Sequence, residues 1–259
     1  MGRAAGGLMP HRPEQQVFRY SRINDFRAEH MMLSGAGNPA SGGTGTGLPV
    51  WRQQVQYAVG HTLNDFYSLQ PEVRRETPIQ FLLERRWPPK GNAFPSLMHY
   101  WDVKTAIADE LMRIVSGNHL PDIPVKLYEQ WHVQVPELEI ELAMIFQLVW
   151  NSQMSGRCLK IQKFMVSGQE DLITGFLHMS NVFCHKAYGK PAETVEVFSL
   201  LDGARHCYDG SGISLTESLD YVRLLAVTLK LEEEAEQAAR LGGRAAERPA
   251  ACFGGYGLM

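Results

Sequence analysis

Apolar residues recur every three or four positions along several stretches of the chain, which is the spacing of one buried face of an α-helix. The first such stretch begins at Trp51 and ends before Pro71. Its periodic positions are Val55, Val59, Thr62, Phe66 and Leu69. This pattern predicts a long helix that a proline terminates.

Residues that favour helix starts precede the next two helical stretches. Thr77 followed by Pro78 predicts a short helix that runs to Trp87, and Ser96 predicts the start of another. Gly117 stands where a left-handed residue would close the second of these helices. The face of this helix carries Leu97, Trp101, Ala108, Leu111 and Val115.

Two stretches in the second half of the chain have the same spacing and predict the central core helices. The first contains Leu138, Leu142, Ile145, Phe146 and Val149, and the second contains Leu172, Phe176, Met179 and Phe183. Ser214 and Glu217 then form a capping-box pattern ahead of a heptad-like stripe. That stripe consists of Leu219, Val222, Ala226 and Leu229.

These patterns together predict a mostly α fold, with a single multi-helix domain at residues 51–231. Residues 1–50 hold nine of the 24 glycines and predict a flexible, glycine-rich leader. Residues 232–259 begin with a run of glutamates and then become rich in glycine and alanine, which predicts a tail.

Composition and charge narrow the classes of function. The chain is 44% hydrophobic and 20% charged, as globular proteins are, and its formal net charge is −3. A negative chain has no global attraction for nucleic acid, so we expect any contact with DNA to be local or to be made through a partner. The uncharged, largely apolar stretch Leu142 to Gly156 is too short and too polar for a membrane span, so no membrane partner is expected.

A group of histidines and cysteines is the main candidate for chemistry, because imidazole and thiolate are the ligands that zinc prefers. Its members are His178, Cys184, His185, His206 and Cys207. Cys184–His185 and His206–Cys207 are adjacent pairs, which argues against a shared metal and against a catalytic pair. We therefore expect no catalytic residue, metal or cofactor; the alternative is a zinc-binding or cysteine-dependent enzyme.

Two segments resemble the adenovirus packaging protein 1 family, the late 52/55-kilodalton protein. The first is Leu97-Met98-His99-Tyr100-Trp101-Asp102, and the second is Phe183-Cys184-His185-Lys186-Ala187-Tyr188, which Pro191 follows. The region around Asn64-Asp65-Phe66 lies in compatible order, and the segment Asp202 to Gly212 reads as an insertion. The resemblance covers roughly Val55 to Leu231.

This resemblance implies a nuclear, non-enzymatic assembly factor that helps to bring a viral genome into its capsid. The implied partners are the viral packaging ATPase and capsid or core proteins, with viral DNA reached through them. Homo-oligomers are also compatible with the pattern. Leu97 and Trp101 on one helix, and Leu219 and Val222 on the last helix, are the candidate partner-binding residues.

The leader contains a further resemblance. The run Leu33-Ser34-Gly35-Ala36-Gly37 is similar to the pattern that the adenovirus maturation protease cuts. We therefore predict cleavage between Ala36 and Gly37.

Overall fold

A six-stranded mixed β-sheet runs through the centre of the protein, and α-helices cover both of its faces. The computed structural model describes residues 20–35, 49–117, 124–151 and 159–246. The prediction of a mostly α fold is therefore wrong, because the chain has an α/β architecture.

The described residues contain seven α-helices, three short 3₁₀ turns and the six strands. The helices are α1 Asp25–Gly35, α2 Val50–Ser68, α3 Pro71–Glu76, α4 Ile79–Arg86, α5 Leu97–Ser116, α6 Glu170–Tyr188 and α7 Leu215–Ala246. The 3₁₀ turns are Gly91–Ala93, Pro136–Leu138 and Gly210–Gly212. The strands are β1 Ser21–Asn24, β2 Lys126–Val135, β3 Ile140–Asn151, β4 Leu159–Met165, β5 Thr194–Ser199 and β6 Ala204–Asp209.

Strand β3 organises the sheet because three strands pair with it. Strand β2 runs antiparallel along one edge of β3 over nearly its whole length. The other edge is shared: β1 runs parallel to residues 140–143, and β4 runs antiparallel to residues 148–151. Helix α6 connects β4 to the parallel strand β5, and β6 pairs antiparallel with β5.

Each face of the sheet has its own hydrophobic core. On one face, residues of α1, α6 and α7 pack with β-strand residues that include Met144 and Phe146. On the other face, residues of α2, α4 and α5 pack with Trp150 and Phe164. The layers are therefore helices, sheet and helices, which is how the folds with parallel strands bury both sides of a sheet.

The stretch from Leu138 to Val149 is not the predicted central helix, because Leu138 ends a 3₁₀ turn and the residues from Ile140 onward form strand β3. A strand that is buried on both faces is apolar at nearly every position, and a short apolar run does not distinguish such a strand from a buried helix. Likewise, Lys160 and Lys163, whose spacing fits a helix, lie on β4.

The direction of side chains along β3 changes at Gln147. Residues two apart on a regular strand face the same side, yet Phe146 packs in one core and Leu148 in the other. On β2, Tyr128 lies between the partners of Leu148 and Phe146, and it has a φ angle of 50°. Left-handed backbone is uncommon for a residue with a side chain, and here it marks an irregularity shared by both strands.

Several predicted helices are confirmed as α2, α4, α5, α6 and α7. Ser96 caps α5, since its hydroxyl oxygen accepts a hydrogen bond from the His99 N–H at 3.0 Å. Two predictions about helix ends are wrong. Thr77 does not cap α4, because its hydroxyl donates to the Val73 carbonyl, and Gly117 has a right-handed φ of −88°.

The structure also extends the ordered elements on both sides of residues 51–231. Within the predicted leader, residues 21–35 form β1 and α1. Helix α7 continues past Leu231 into the predicted tail, to Ala246.

Candidate functional site

A break in the hydrogen bonding along one edge of β3 creates the candidate site. Residues 144–147 lie between the stretch paired with β1 and the stretch paired with β4. At this break, side chains form hydrogen bonds with backbone groups in place of a paired strand. The Asp25 carboxylate accepts from the Ile145 N–H at 2.9 Å, and the Gln147 side chain binds the backbone of Phe164.

Three charged side chains meet at this break. The ammonium of Lys163 lies 2.6 Å from Glu29 Oε1 and 3.8 Å from a carboxylate oxygen of Asp25. Lys163 and Asp25 are buried, and Glu29 is partly buried. The pairing explains how a lysine can occupy a buried position, because an unpaired ammonium would be strongly destabilising there.

The pKa values follow from burial and from this pairing. Burial by itself lowers the pKa of Lys163, but the charges of Glu29 and Asp25 together raise it above 10.5. Burial raises the pKa of Asp25 above 3.8, and the opposing effects of Lys163 and two backbone N–H donors do not cancel this rise. Lys163 is thus a permanent cation at neutral pH.

A cavity of about 390 Å³ opens beside the charged residues. Helices α1 and α2, strands β2, β3 and β4, and Glu232 of α7 contribute to its wall. Three aromatic side chains line it, namely Phe26, Tyr57 and Tyr128. The volume lies within the range of small-molecule sites, which extends from about 300 to 1,000 Å³.

Gly60 allows Tyr128 to occupy the wall of this cavity. A Cβ atom at Gly60 would lie only 2.5 Å from Cε2 of the Tyr128 ring, so replacing Gly60 by any other residue would displace the ring. The ring centroid of His61 lies 5.3 Å from that of Tyr128 and 4.0 Å from that of Tyr57. Burial raises the pKa of Tyr128, which therefore stays protonated at neutral pH.

A second polar cluster links the neighbouring strands β4, β5 and β6. Glu196 of β5 is buried, and it binds Lys160, Arg205 and the Gln162 side chain. Burial raises the pKa of Glu196, but these hydrogen bonds and charges outweigh burial and lower it overall. Gln162 in turn accepts from the Trp150 indole N–H at 2.8 Å.

The predicted partner-binding residues separate into exposed and buried groups. Leu97 is 68% exposed, its neighbour Met98 72% and Trp101 51%, and the buried residues of α5 begin with Tyr100 and Val103. On α7, Leu219 is partly buried and Val222 is fully buried in the core with α6. Val222 is therefore inaccessible to a partner in this fold.

The histidines and cysteines do not form one site among the described residues. Cys184 is buried, and burial raises its pKa to about 12, so the thiol stays protonated. Cys207 is exposed on β6, while His178 binds Ser218 and stacks on Tyr221. In the described ranges, no group of three or more histidine, cysteine, aspartate or glutamate side chains is placed to hold a metal ion.

The predicted cleavage site lies at the edge of the described residues. Helix α1 ends at Gly35, and Ala36 and Gly37 lie outside the described ranges. Cys158 and Cys252 also lie outside them.

Sequence reasoning missed the cavity because its charged residues come from distant segments. Asp25 and Glu29 belong to the predicted leader, whereas Lys163 lies far along the chain on β4. One signal was present: Gln147 interrupts a stretch that is otherwise strongly apolar, and buried polar residues need partners.

Comparisons with known proteins leave the chain unassigned, since no family model and no curated protein matches it. Among the helices of the described residues, none is both long enough and apolar enough to cross a membrane.

Proposed function

We propose that this chain is a non-catalytic assembly factor that binds other macromolecules through the start of α5. The observation that carries the proposal is the exposure of Leu97, Met98 and Trp101. These residues belong to the segment on which the resemblance to the packaging protein 1 family rests.

Hydrogen bonds and aromatic packing anchor the start of α5 to the rest of the fold. Ser96 caps the helix, Tyr100 is buried, and the Tyr100 hydroxyl donates to the Pro88 carbonyl at 2.9 Å. The Tyr100 ring also lies edge-on to the Phe94 ring, with centroids 5.0 Å apart. Large apolar side chains on a rigid support are typical of protein-binding surfaces.

Trp101 has the properties of a binding residue in this position. Its ring is half exposed, and the Lys104 ammonium lies 5.0 Å from the ring centroid. Lys104 is also paired with Glu84 of α4 at 2.5 Å. Tryptophan is enriched among the residues that contribute most to protein interfaces, because it buries a large area with little loss of side-chain freedom.

The state of the buried reactive groups favours binding over catalysis. The Cys184 thiol is protonated, and the buried Lys163 ammonium is paired with Glu29 and Asp25. A protonated thiol and a paired ammonium are both poor nucleophiles.

The resemblance supplies the proposed partners and location. These are the viral packaging ATPase and capsid or core proteins in the host nucleus, with viral DNA reached through them. The net charge of −3 supports the indirect contact with DNA.

The test measures binding of the purified chain to the packaging ATPase and to the capsid and core proteins of the same virus. Leu97→Ser and Trp101→Ala should each weaken one of these interactions at least tenfold, because truncation of a central interface residue typically costs about 2 kcal/mol or more. Phe81→Ala is the matched control, since Phe81 is an exposed aromatic residue on α4. No binding to any of these proteins, or equal loss with Phe81→Ala, would contradict the proposal.

A further inference from the structure

We propose that the cavity beside Lys163 binds a small organic ammonium ion with an aromatic body. This inference concerns a surface other than the start of α5, and it goes beyond the proposed assembly function. It rests on three features of the cavity: its charge, its aromatic wall and its size.

The charge of the lining is negative. Asp25, Glu29 and Glu232 contribute three carboxylates, and Lys163 contributes one ammonium. The remaining lining cation, Arg27, is paired with Glu233 of α7. When Arg27 and its partner Glu233 are counted together as neutral, the three carboxylates and Lys163 leave an excess of two negative charges, or of one if Asp25 is protonated. A ligand with one positive charge would offset this excess.

The same arrangement disfavours an anionic ligand. The Lys163 ammonium is the buried cation of this lining, and both of its ionic contacts are carboxylates, at 2.6 Å and 3.8 Å. A ligand carboxylate or phosphate would have to displace Glu29 from this pairing or lie against it. Either outcome brings like charges together in a partly desolvated site, which is unfavourable.

The aromatic wall adds a second reason for a cation. Tyr57 is 64% exposed and Phe26 is 54% exposed at the mouth, and the half-buried Tyr128 lies deeper. The faces of aromatic rings attract organic ammonium groups, with a contribution of about 0.5 to 2 kcal/mol per contact. The rings also provide apolar surface for an aromatic body.

The size of the cavity favours a large organic cation over a small one. A volume of about 390 Å³ is much larger than a metal ion or a methylammonium group needs. It suits an amine that has a ring system, so that the ammonium group lies near Glu29 or Glu232 and the rings lie against Tyr57 and Tyr128.

Three probes with one indole body separate charge from shape. Tryptamine is cationic, tryptophol is its neutral alcohol counterpart, and indole-3-acetate is anionic. Binding to the full chain is measured by ligand-observed NMR and by calorimetry at low ionic strength. We expect tryptamine to bind at least tenfold more tightly than tryptophol, and indole-3-acetate to bind most weakly. Equal affinities for the three probes, tighter binding of indole-3-acetate or no binding of tryptamine would overturn the proposal.

Paired variants locate the site. Tyr57→Ala should weaken tryptamine at least fivefold, whereas Phe81→Ala, which removes an exposed ring elsewhere, should leave its affinity unchanged. Glu232→Gln should reduce the preference for tryptamine over tryptophol, whereas Glu234→Gln on the same helix should not, because Glu234 does not line the cavity. These residues are exposed, so the variants should fold. If each control has the same effect as its partner, tryptamine binds elsewhere and the assignment is wrong.

Discussion

The side-chain amide of Gln147 makes the two backbone hydrogen bonds to Phe164 that a neighbouring strand would otherwise make. The Phe164 N–H donates to Gln147 Oε1 at 2.5 Å, and Gln147 Nε2 donates to the Phe164 carbonyl oxygen at 3.3 Å. Gln56 of α2 completes the arrangement, since it donates to the same carbonyl at 2.7 Å and accepts from the Val166 N–H at 3.0 Å. Two glutamines thereby bind backbone groups of Phe164 and Val166, at the end of β4 and just after it.

Replacing Gln147 by methionine should destabilise the protein by about 2 kcal/mol. The variant preserves the length of the side chain but leaves the Phe164 N–H buried without a partner, which costs about 1 to 3 kcal/mol. The Phe164 carbonyl should be affected less, because Gln56 still donates to it. Urea denaturation measures the change, with Gln130→Met on the exposed side of β2 as control. Equal stability of Gln147→Met and wild type would show that the pairing is dispensable.

Tyr100 and Trp101 should differ sharply in their contribution to stability, although they are adjacent. Tyr100→Ala should cost about 3 to 5 kcal/mol, because Tyr100 is buried and packs against Phe94 and Trp87. Trp101→Ala should cost about 1 kcal/mol or less, since half of the side chain is exposed. Thermal and chemical unfolding measure both. A large loss with Trp101→Ala would mean that this residue stabilises the fold and does not serve mainly as a binding surface.

Glu196 should make stability depend on pH in the acid range. Its pKa is lowered from 4.5 in the folded chain, so its contribution is present above pH 4.5 and is lost as the pH falls through the folded value. At pH 7 we expect Glu196→Gln to lower the free energy of unfolding by about 2 kcal/mol, because hydrogen bonds to a charged group are removed. Below pH 4.5 the difference from wild type should shrink.

Denaturation at a series of pH values between 7 and 3 tests this expectation. Glu234→Gln, at an exposed position of α7, should show no such dependence. A difference for Glu196→Gln that stays constant through this range would contradict the role of its ionised carboxylate.

The two described cysteines should react very differently with iodoacetamide. Cys207 is exposed and should be alkylated in the native protein. Cys184 is buried with a pKa of about 12, so it should be protected until the chain unfolds. Peptide mass mapping after native and denatured labelling distinguishes them, and rapid native labelling of Cys184 would refute its assignment to the core.

Cleavage between Ala36 and Gly37, if the maturation protease cuts there, should not release the N-terminal fragment. Strand β1 pairs with β3, and Ile23 and Ala28 are buried. Glu29 adds its ion pair with Lys163. We therefore expect two fragments by mass in denaturant and one peak in native size exclusion.

A Gly35→Val variant should resist the protease in the same experiment. An intact wild-type chain, under conditions where a known substrate is fully cut, would remove this support for the viral assignment. Separation of the fragments without denaturant would show that β1 and α1 are held only by the covalent link.

Local sequence determined the helices that have one buried face. In α2, Val55, Val59 and Phe66 are buried at helical spacing, and Ser96 marks the start of α5 with a hydroxyl that the helix itself uses. These signals are readable because amphipathic periodicity and capping depend on residues within a few positions of one another.

Only the tertiary structure identified the strand that is buried on both faces and the contacts between residues far apart in the chain. Strand β3 is covered by helices on both sides, so its apolar residues lose the alternation that identifies a strand. The sequence gives no sign that Asp25 and Glu29 lie near Lys163. They form one cluster because β1 and β4 share an edge of β3. Residues more than 130 positions apart along the chain are brought within 4 Å by strand pairing, and no local pattern records that pairing.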